Sequence, residues 1–146
     1  MALVAVAFAF TASAQTATLL RDINTGNGTA EDGFHHSTTP GLLECGGFLY
    51  FVGESKDTGK KLWKTDGTEG GTELVLDRGP EPFYFACAGS NLLFARYELE
   101  ITDGNATGTS TLKDINPGSS SSYPKSLTGI GASVYFQAND GVHGEE

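Results

Sequence analysis

The sequence predicts an all-β protein made of repeated four-stranded antiparallel meanders, arranged as the blades of a partial, open β-propeller. The block Leu62 to Thr72 recurs in degenerate form 37 residues later, as Leu99 to Thr109. An aromatic strand block also recurs, with Phe51, Phe94 and Phe136 spaced 43 and 42 residues apart. Periods in the low forties that hold four short strands are typical of propeller blades. No stretch of the sequence shows the sustained period of a helix.

The best copy of the repeat, unit 40–80, contains four short apolar segments. Each has the alternating or continuous apolar pattern of a strand, and clusters of Gly, Asp, Pro and Ser separate them. The predicted strands are Leu42 to Cys45, Phe48 to Val52, Lys61 to Thr65 and Thr72 to Asp77.

The second unit, residues 81–118, has a shortened centre. The interval from Phe51 to Asp66 is 15 residues, whereas the interval from Phe94 to Asp103 is 9 residues. We therefore predict a tight turn between the second and third strands of this unit.

Both ends of the chain carry incomplete copies of the repeat. Residues 123–146 repeat the first two strands and stop where the next Leu-Trp pair is expected, so we expect the chain to be a fragment of a longer protein. Leu19 to Gly26 resemble Thr111 to Gly118, which end the second unit. The segment 16–24 is predicted to be a strand, and in a closed ring it would complete the final blade.

Residues 1–14 are predicted to be a signal peptide. Leu3 to Phe10 are wholly apolar, and Ala12-Ser13-Ala14 has the small-x-small form of a signal peptidase site. The apolar run is shorter than the roughly 20 residues that span a bilayer. It lacks a basic n-region, so we expect the true start to lie upstream of Met1. The alternative is a buried apolar strand of a truncated repeat.

The recurring blocks resemble the ELWxxDGT repeats of a family of secreted bacterial proteins. The residues that carry the resemblance are Lys61 to Thr68, Gly71-Thr72, Leu112 to Gly118 and Ser119 to Ser122. The second unit departs from the pattern, because Glu100 stands at the position of Trp63 and Asn105 at that of Thr68. The resemblance implies a propeller-like, exported, modular protein, and it brings no general enzymatic activity with it.

The Asp-Gly turns are the strongest candidates for a functional site. Asp66, Asp103 and Asp140 present carboxylates among backbone carbonyls, which are oxygen ligands suited to Ca²⁺. The sequence favours a structural explanation, since it holds no D-x-[DN]-x-[DN]-G calcium loop. In that explanation Asp accepts hydrogen bonds from backbone N–H groups, and Gly67 and Gly104 supply the positive φ of a turn. We predict no other cofactor and no catalytic residue.

Aromatic side chains are predicted to pack the blades. These are Trp63, Phe51, Phe94 and Phe136, together with Tyr135 beside the last of them. The alternative for Trp63 is stacking against a bound sugar, but the resemblance implies packing between blades, since Trp63 occupies the structural motif of the family and a Trp can bury a large surface.

The two cysteines, Cys45 and Cys87, precede equivalent strands of neighbouring units. Export permits a disulfide. A bridge needs Cα atoms within about 7 Å, and adjacent blades approach that closely only near the propeller axis. A disulfide and two buried thiols both remain open at this point.

Composition limits the partners. The net charge of −9 argues against nucleic acid, whose binding depends on Lys and Arg neutralising phosphates. No membrane insertion is expected after cleavage of the signal peptide. The expected partner is an extracellular protein or glycan, and the expected location is secreted or at the cell surface.

The leading hypothesis is therefore a non-catalytic exported repeat module, a scaffold for adhesion or for protein or glycan binding. A second hypothesis is that the chain is part of a propeller-type hydrolase or lyase, whose active residues lie mostly outside this chain. A third is a structural array stabilised by calcium.

Overall fold

The computed structural model describes residues 42–55 and 59–146, and these residues form antiparallel β-sheets. Two sheets have four strands and a third has two. The predicted signal peptide at 1–14 and the predicted strand at 16–24 lie outside the described residues. The all-β prediction and the four-stranded antiparallel sheets are confirmed, whereas no closed ring or barrel is formed by the part of the chain that is described.

The first sheet is a meander, because its strands pair in chain order. It contains β1 (Leu42–Cys45), β2 (Phe48–Ser55), β3 (Gly59–Thr65) and β4 (Glu73–Leu76). The alternation of β3 turns Leu62 into the core, and Gly46 and Gly47, both at positive φ, make the two-residue turn between β1 and β2. All four strands fall where the apolar segments predict them.

The second sheet repeats this order. It contains β5 (Phe83–Ala88), β6 (Asn91–Ala95), β7 (Leu99–Thr102) and β8 (Ser110–Lys113), with a short 3₁₀ turn at Ala106–Gly108 before β8. Only Arg96, Tyr97 and Glu98 separate β6 from β7, and the backbone N–H of Arg96 donates to the carbonyl of Glu98 at 3.0 Å. The predicted tight turn is confirmed.

The third unit has two strands, β9 (Lys125–Ile130) and β10 (Ser133–Gln137), followed by a returning segment. Ala138 and Glu146 exchange two backbone hydrogen bonds of 3.0 Å, and Asn139 bridges Glu145. The first sheet has the same pairing, with Gly53 opposite Lys61 in the β2–β3 hairpin. The third unit therefore reproduces the first in register as far as Glu146.

The core lies between the first and second sheets. Its fully packed members come from six strands and are Cys45, Tyr50, Leu62, Val75, Leu76, Phe85, Leu92 and Phe94. The rings of Phe85 and Phe94 meet edge to face with centroids 6.4 Å apart, a favourable aromatic arrangement.

The aromatic residues predicted to pack the sheets divide into two groups. Phe51 and Phe94 are buried, whereas Trp63 and Phe136 are half-buried and lie outside the main core cluster. Trp63 follows Leu62 on β3, so strand alternation turns it to the opposite face. The prediction that Tyr135 is a core residue is wrong, because its side chain is 64% exposed. It lies on β10, which pairs with β9 along one edge.

The first strands of the three units are neighbours. Strand β5 contacts both β1 and β9. The approach of β9 is close, since a Cβ added to Gly129 would lie 2.4 Å from the carbonyl oxygen of Cys87. The backbone N–H of Gly89 also donates to the carbonyl of Gly131 at 3.4 Å. The units are therefore linked through β1, β5 and β9.

Candidate functional site

The loop after β3 is held by its own side chains. The Oδ1 atom of Asp66 accepts hydrogen bonds from the backbone N–H of Thr68 at 2.9 Å and from its hydroxyl at 2.7 Å. These two bonds, the hydroxyl bond being the stronger influence, lower the pKa of Asp66 below its usual value. Gly67 between them has a φ of 90°, a value that a residue with a side chain rarely adopts. The carboxylate of Asp66 thus organises the turn.

Behind this turn lies a directed chain of hydrogen bonds. The hydroxyl of Thr72 donates to the carbonyl of Thr68 at 2.7 Å, which uses its single hydrogen. The contact of 2.8 Å between the hydroxyls of Thr65 and Thr72 must therefore have Thr65 as the donor. Thr65 in turn accepts from the backbone N–H of Gly67 at 3.0 Å. We call this chain, from Gly67 through Thr65 and Thr72 to Thr68, the threonine relay.

The loop after β7 contains the same relay. Gly104 donates its N–H to Thr102 at 3.0 Å, the hydroxyls of Thr102 and Thr109 lie 2.7 Å apart, and Thr109 donates to the carbonyl of Asn105 at 2.8 Å. Asp103 accepts from the N–H of Asn105 at 2.8 Å. Thr102 and Thr109 are both buried, so the relay is shielded from water. Asn105 stands where the first loop has Thr68, and the relay is kept. The N–H of Gly108 donates to the carbonyl of Asn105 at 3.1 Å, whereas the N–H of Gly71 donates to the hydroxyl of Thr68 at 2.9 Å.

A glycine in each loop makes room for the aspartate. A Cβ added to Gly71 would lie 2.0 Å from Oδ1 of Asp66, and one added to Gly108 would lie 2.1 Å from Oδ1 of Asp103. The recurring Gly-Thr pair therefore has a physical cause: the glycine admits the carboxylate and the threonine closes the relay. Sequence reasoning noted the recurrence of Thr72 and Thr109 but did not find this cause.

The loop of the second unit packs on the first sheet. The hydroxyl of Tyr50 lies 2.7 Å from the position that a Cβ of Gly104 would occupy, and the Lys64 side chain lies beside it. Burial, followed by the charge of Asp103, raises the pKa of Tyr50. Lys64 is itself buried, with Nζ 4.6 Å from the centroid of the Phe48 ring. The contact of Tyr50 and Lys64 with Gly104 is thus a second connection between the sheets.

Asp140 forms a different turn. Its Oδ1 atom accepts from the N–H groups of Val142 at 2.9 Å and His143 at 2.8 Å, and Oδ2 contacts Nδ1 of His143 at 2.7 Å. The bonds from the backbone and ring of His143, followed by that from Val142, hold the pKa of Asp140 well below its usual range.

In the described part of the chain, the three aspartates considered as calcium ligands do not form one common site. Asp66, Asp103 and Asp140 each bond within their own turn, as described above. Calcium takes six to eight oxygen ligands that converge on one point. Among residues 42–55 and 59–146, no group of three or more His, Cys, Asp or Glu side chains is placed to hold a metal ion.

Cys45 and Cys87 form a disulfide, with their Cα atoms 5.5 Å apart. The sequence left this bridge and two free thiols open. The two residues are not strictly equivalent, however. The β1–β2 turn follows Cys45 directly, whereas Ala88 holds that position before the β5–β6 turn. The offset of one residue lets a side chain of β1 meet one of β5 between the sheets.

Two acidic residues of the second unit have structural partners that sequence reasoning missed. Glu100, buried at the position of Trp63, lies 3.7 Å from Nη1 of Arg96. Glu98 accepts from the N–H of Ile115 at 2.9 Å and from the N–H and hydroxyl of Ser122 at 2.8 and 2.6 Å. Glu98 therefore fastens the serine segment, 24 residues away, to the β6–β7 turn. No local pattern signals such a distant pairing.

Comparison with known proteins identifies no relative: no family model, curated protein or solved structure matches the chain. Among the described residues, no helix has the length and apolar character needed to cross a membrane.

Proposed function

We propose that the chain is a non-catalytic, exported repeat module that acts as a scaffold for adhesion, or for binding a protein or glycan outside the cell. The observation that carries the proposal is that the candidate carboxylates are engaged in hydrogen bonds that hold their own loops. Asp66, Asp103 and Asp140 each accept hydrogen bonds within their own turn. A general acid or base must reach a substrate, and a nucleophilic carboxylate must do the same. These aspartates hold loops instead.

The proposed architecture is a set of open propeller blades of the ELWxxDGT type. The support is the neighbour relation of β1, β5 and β9, because the first strands of propeller blades line the central axis while the fourth strands diverge. The duplicated threonine relay supports a true structural repeat. Labels on the outer strands, at Glu73 and Ser110, are expected to lie clearly further apart than labels at Gly47 and Ser90 beside the inner strands. Equal separations would indicate stacked layers and refute the blade arrangement.

Export is supported by the disulfide. Bridges of this kind persist in oxidising compartments and are rare in the cytosol. A bacterial host expressing the full reading frame is expected to release the protein, with the Cys45–Cys87 bridge formed, into the periplasm or medium. Retention of a fully reduced protein in the cytosol would contradict this part of the proposal.

The binding function is tested with the intact secreted chain on a glycan array and in a pull-down from extracellular extracts, beside a panel of hydrolase and lyase substrates. We expect a specific partner and no turnover. The control is the Glu54→Gln variant, which changes an exposed acidic residue of β2. Turnover by the wild type, with no partner found, would establish the enzymatic alternative instead, and turnover that is unchanged in Glu54→Gln would count against a share of this acidic residue in it.

A further inference from the structure

The two linkers that join the units, residues 77–82 and 114–124, differ at one position. Pro82 directly precedes β5 and Pro124 directly precedes β9, so Glu81 and Tyr123 occupy the same place in their linkers. Glu81 forms an ion pair with Lys60 of the β2–β3 hairpin at 3.2 Å. Tyr123, by contrast, is 72% exposed. The second linker thus replaces a paired charge with an exposed aromatic ring.

The short turn of the second unit lies between two longer hairpins. Counted from the recurring phenylalanine, the β2–β3 ladder runs three residue pairs further than the β6–β7 ladder, which ends at Ala95 opposite Leu99. Three pairs lengthen a hairpin by about 10 Å. The third unit also continues beyond β10, where Asn139 bridges Glu145. The second unit is therefore lower than both neighbours at this end of the array.

Contacts place these elements in one row. Lys60 of the first hairpin pairs with the first linker, and the Arg96 side chain of the β6–β7 turn packs against Gly79 of the same linker. On the other side, the turn binds Ser122 of the second linker, whose carbonyl accepts from the N–H of Asn139 at 2.8 Å. The β6–β7 turn is thus the floor of a recess, with the first and third hairpins on its two sides.

One serine hydroxyl joins the backbones of two exposed tyrosines at this floor. Tyr97, at the centre of the turn, is 62% exposed, and its carbonyl accepts the hydroxyl of Ser121. The same hydroxyl accepts from the N–H of Tyr123 at 3.2 Å. The backbones of Tyr97 and Tyr123 therefore lie within two hydrogen-bond lengths of each other. Tyr123 also has a φ of 47°, a value that a residue with a large side chain rarely adopts.

The base that carries the two tyrosines is fixed by further hydrogen bonds. Glu98 holds Ser122, which is fully buried, and the N–H of Ser122 also contacts the carbonyl of Tyr97 at 3.0 Å. The amide of Asn116 donates to the carbonyl of Ser121 at 3.2 Å. A surface that is ordered before it meets a ligand loses less entropy on binding.

The charge of this surface indicates the class of ligand. Residues 115–124 include no charged side chain, although the chain has a net charge of −9. The ionic groups of the turn are engaged, since Arg96 pairs with Glu100 and Glu98 binds the linker. The groups that face solvent are the two tyrosines and the exposed Ser119 and Ser120.

These groups match the chemistry of a sugar. A tyrosine combines an apolar ring with a polar hydroxyl, and serine supplies adaptable hydrogen bonds. A sugar ring has apolar C–H faces that stack on aromatic rings, and hydroxyl groups around its edge. A charged peptide would find no opposite charge in the uncharged segment 115–124.

We propose that Tyr97 and Tyr123 form a binding site for an uncharged glycan chain, which lies in the recess between the first and third hairpins. The two rings stack on sugar faces, and the hydroxyls of Ser119 and Ser120 bond to sugar hydroxyls. The inference rests on the proposed binding function, to which it gives a site and a ligand class.

Calorimetric titration of the full chain tests the proposal with neutral hexasaccharides of glucose, xylose, mannose and galactose, beside the acidic hexagalacturonate. The titrations run to about 10 mM, because an open site with few anchoring residues binds weakly. At least one neutral hexasaccharide is expected to bind, and the acidic one is not.

Variants at the two tyrosines locate the site. Tyr97→Ser and Tyr123→Asn each remove one ring, and Asn tolerates the positive φ at position 123. Each change is expected to weaken binding by about tenfold or more, as for a central contact residue. Tyr97→Phe keeps the ring and should lose clearly less. Tyr135→Ser removes a tyrosine that is 64% exposed outside the site and should bind like the wild type.

Tyrosine nitration followed by mass spectrometry gives a second readout. Tyr97 and Tyr123 are expected to react in the free full chain and to be protected by the bound hexasaccharide, whereas Tyr135 reacts in both states. Circular dichroism checks the fold of every variant. If neither Tyr97 nor Tyr123 reacts in the free chain, another part of the protein covers the recess and the proposal is overturned.

The outcomes separate this inference from the proposed function. Glycan binding that is unchanged in Tyr97→Ser and Tyr123→Asn, or equally weakened in Tyr135→Ser, would overturn the site and leave the binding function standing. Binding of the acidic hexasaccharide alone, or of a protein partner alone, would overturn the ligand class. The absence of any glycan or protein partner would overturn both proposals.

Discussion

Cys45 and Cys87 covalently join the first strands of two separate sheets, across a sequence separation of 42 residues. Cys45 is fully buried and belongs to the core cluster that both sheets share. The bridge therefore fixes the two units to each other at the point where β1 meets β5. The noncovalent contact of Tyr50 with Gly104 lies elsewhere on the same pair of units.

Removal of the disulfide is expected to destabilise the protein strongly. Closing a loop of this length restricts the unfolded chain, and the chain-entropy relation gives about 4 kcal/mol. The Cys45→Ala/Cys87→Ala variant should therefore lose roughly 2–5 kcal/mol in urea unfolding. Dithiothreitol should lower the stability of the wild type and leave the double variant unchanged. Equal stability of the oxidised wild type and the variant would contradict this expectation.

The stabilisation that the threonine relay provides should depend on the hydroxyl of Thr72 and not on the shape of its side chain. Thr72→Val keeps the shape but leaves the donor of Thr65 and the carbonyl of Thr68 without their partner in the relay. The hydroxyl of Thr65 is buried, and an unsatisfied buried group costs about 1–3 kcal/mol, so we expect a loss of roughly that size in the free energy of unfolding. Thr72→Ser retains the hydroxyl and should lose clearly less. If Thr72→Ser were less stable than Thr72→Val, the hydrogen bonds of the relay would not be a source of stability.

The neighbouring glycines Gly70 and Gly71 provide a test of the position of the Asp66 carboxylate. Gly71→Ala places a methyl group 2.0 Å from Oδ1 of Asp66 and is expected to cost about 1–3 kcal/mol, as overpacking does. At Gly70 a Cβ meets nothing within 4 Å, so Gly70→Ala should be neutral or slightly stabilising. Thermal unfolding of both variants measures the difference. Addition of Asp66→Ala should suppress much of the cost of Gly71→Ala, whereas strict additivity would show that the clash is not the cause.

The sequence predicts the strands well because their signals are local. Turn glycines and alternating apolar residues define β1 to β4 within a few neighbouring positions, and the shortened interval before Asp103 predicts the tight turn of the second unit. Long-range pairings carry no such signal. The attachment of Ser122 to Glu98 and the burial of Glu100 beside Arg96 depend on which surfaces the fold brings together. The turn aspartates could be found by recurrence, but their hydrogen-bond partners could not.

Backbone strain is another feature that the sequence did not reveal. Tyr84 on β5 and Ser126 on β9 have φ values of 45° and 57°, and the strand register shifts beside each of them. Counted back from the following turn, the two residues occupy the same position in their units. A left-handed conformation costs a residue with a side chain about 1–2 kcal/mol. Its recurrence indicates a bulge that belongs to the repeat.

Relief of this strain should stabilise the third unit. Ser126 is exposed, so Ser126→Gly loses little packing, and after the entropic cost of glycine the net gain should be about 0.5–1 kcal/mol. Ser133→Gly is the matched control, because Ser133 is an exposed strand residue that is not at positive φ. The control should lower the melting temperature while Ser126→Gly raises it. A decrease in both variants would show that the bulge is not strained.

The turn of Asp140 should make stability depend on acid pH. Its pKa is lowered in the folded state by the bonds from His143 and Val142, and the unfolded value is about 3.9. A depressed folded pKa gives stabilisation that is complete above the unfolded pKa and is lost as the pH falls through the folded pKa. Asp140→Asn should therefore melt below the wild type at pH 7, with a gap that narrows from about pH 5 downwards. Asp77→Asn, which removes an exposed carboxylate of equal charge, controls for net charge. A gap between wild type and Asp140→Asn that is constant from pH 7 to pH 2 would show that the charged form of Asp140 does not stabilise the turn.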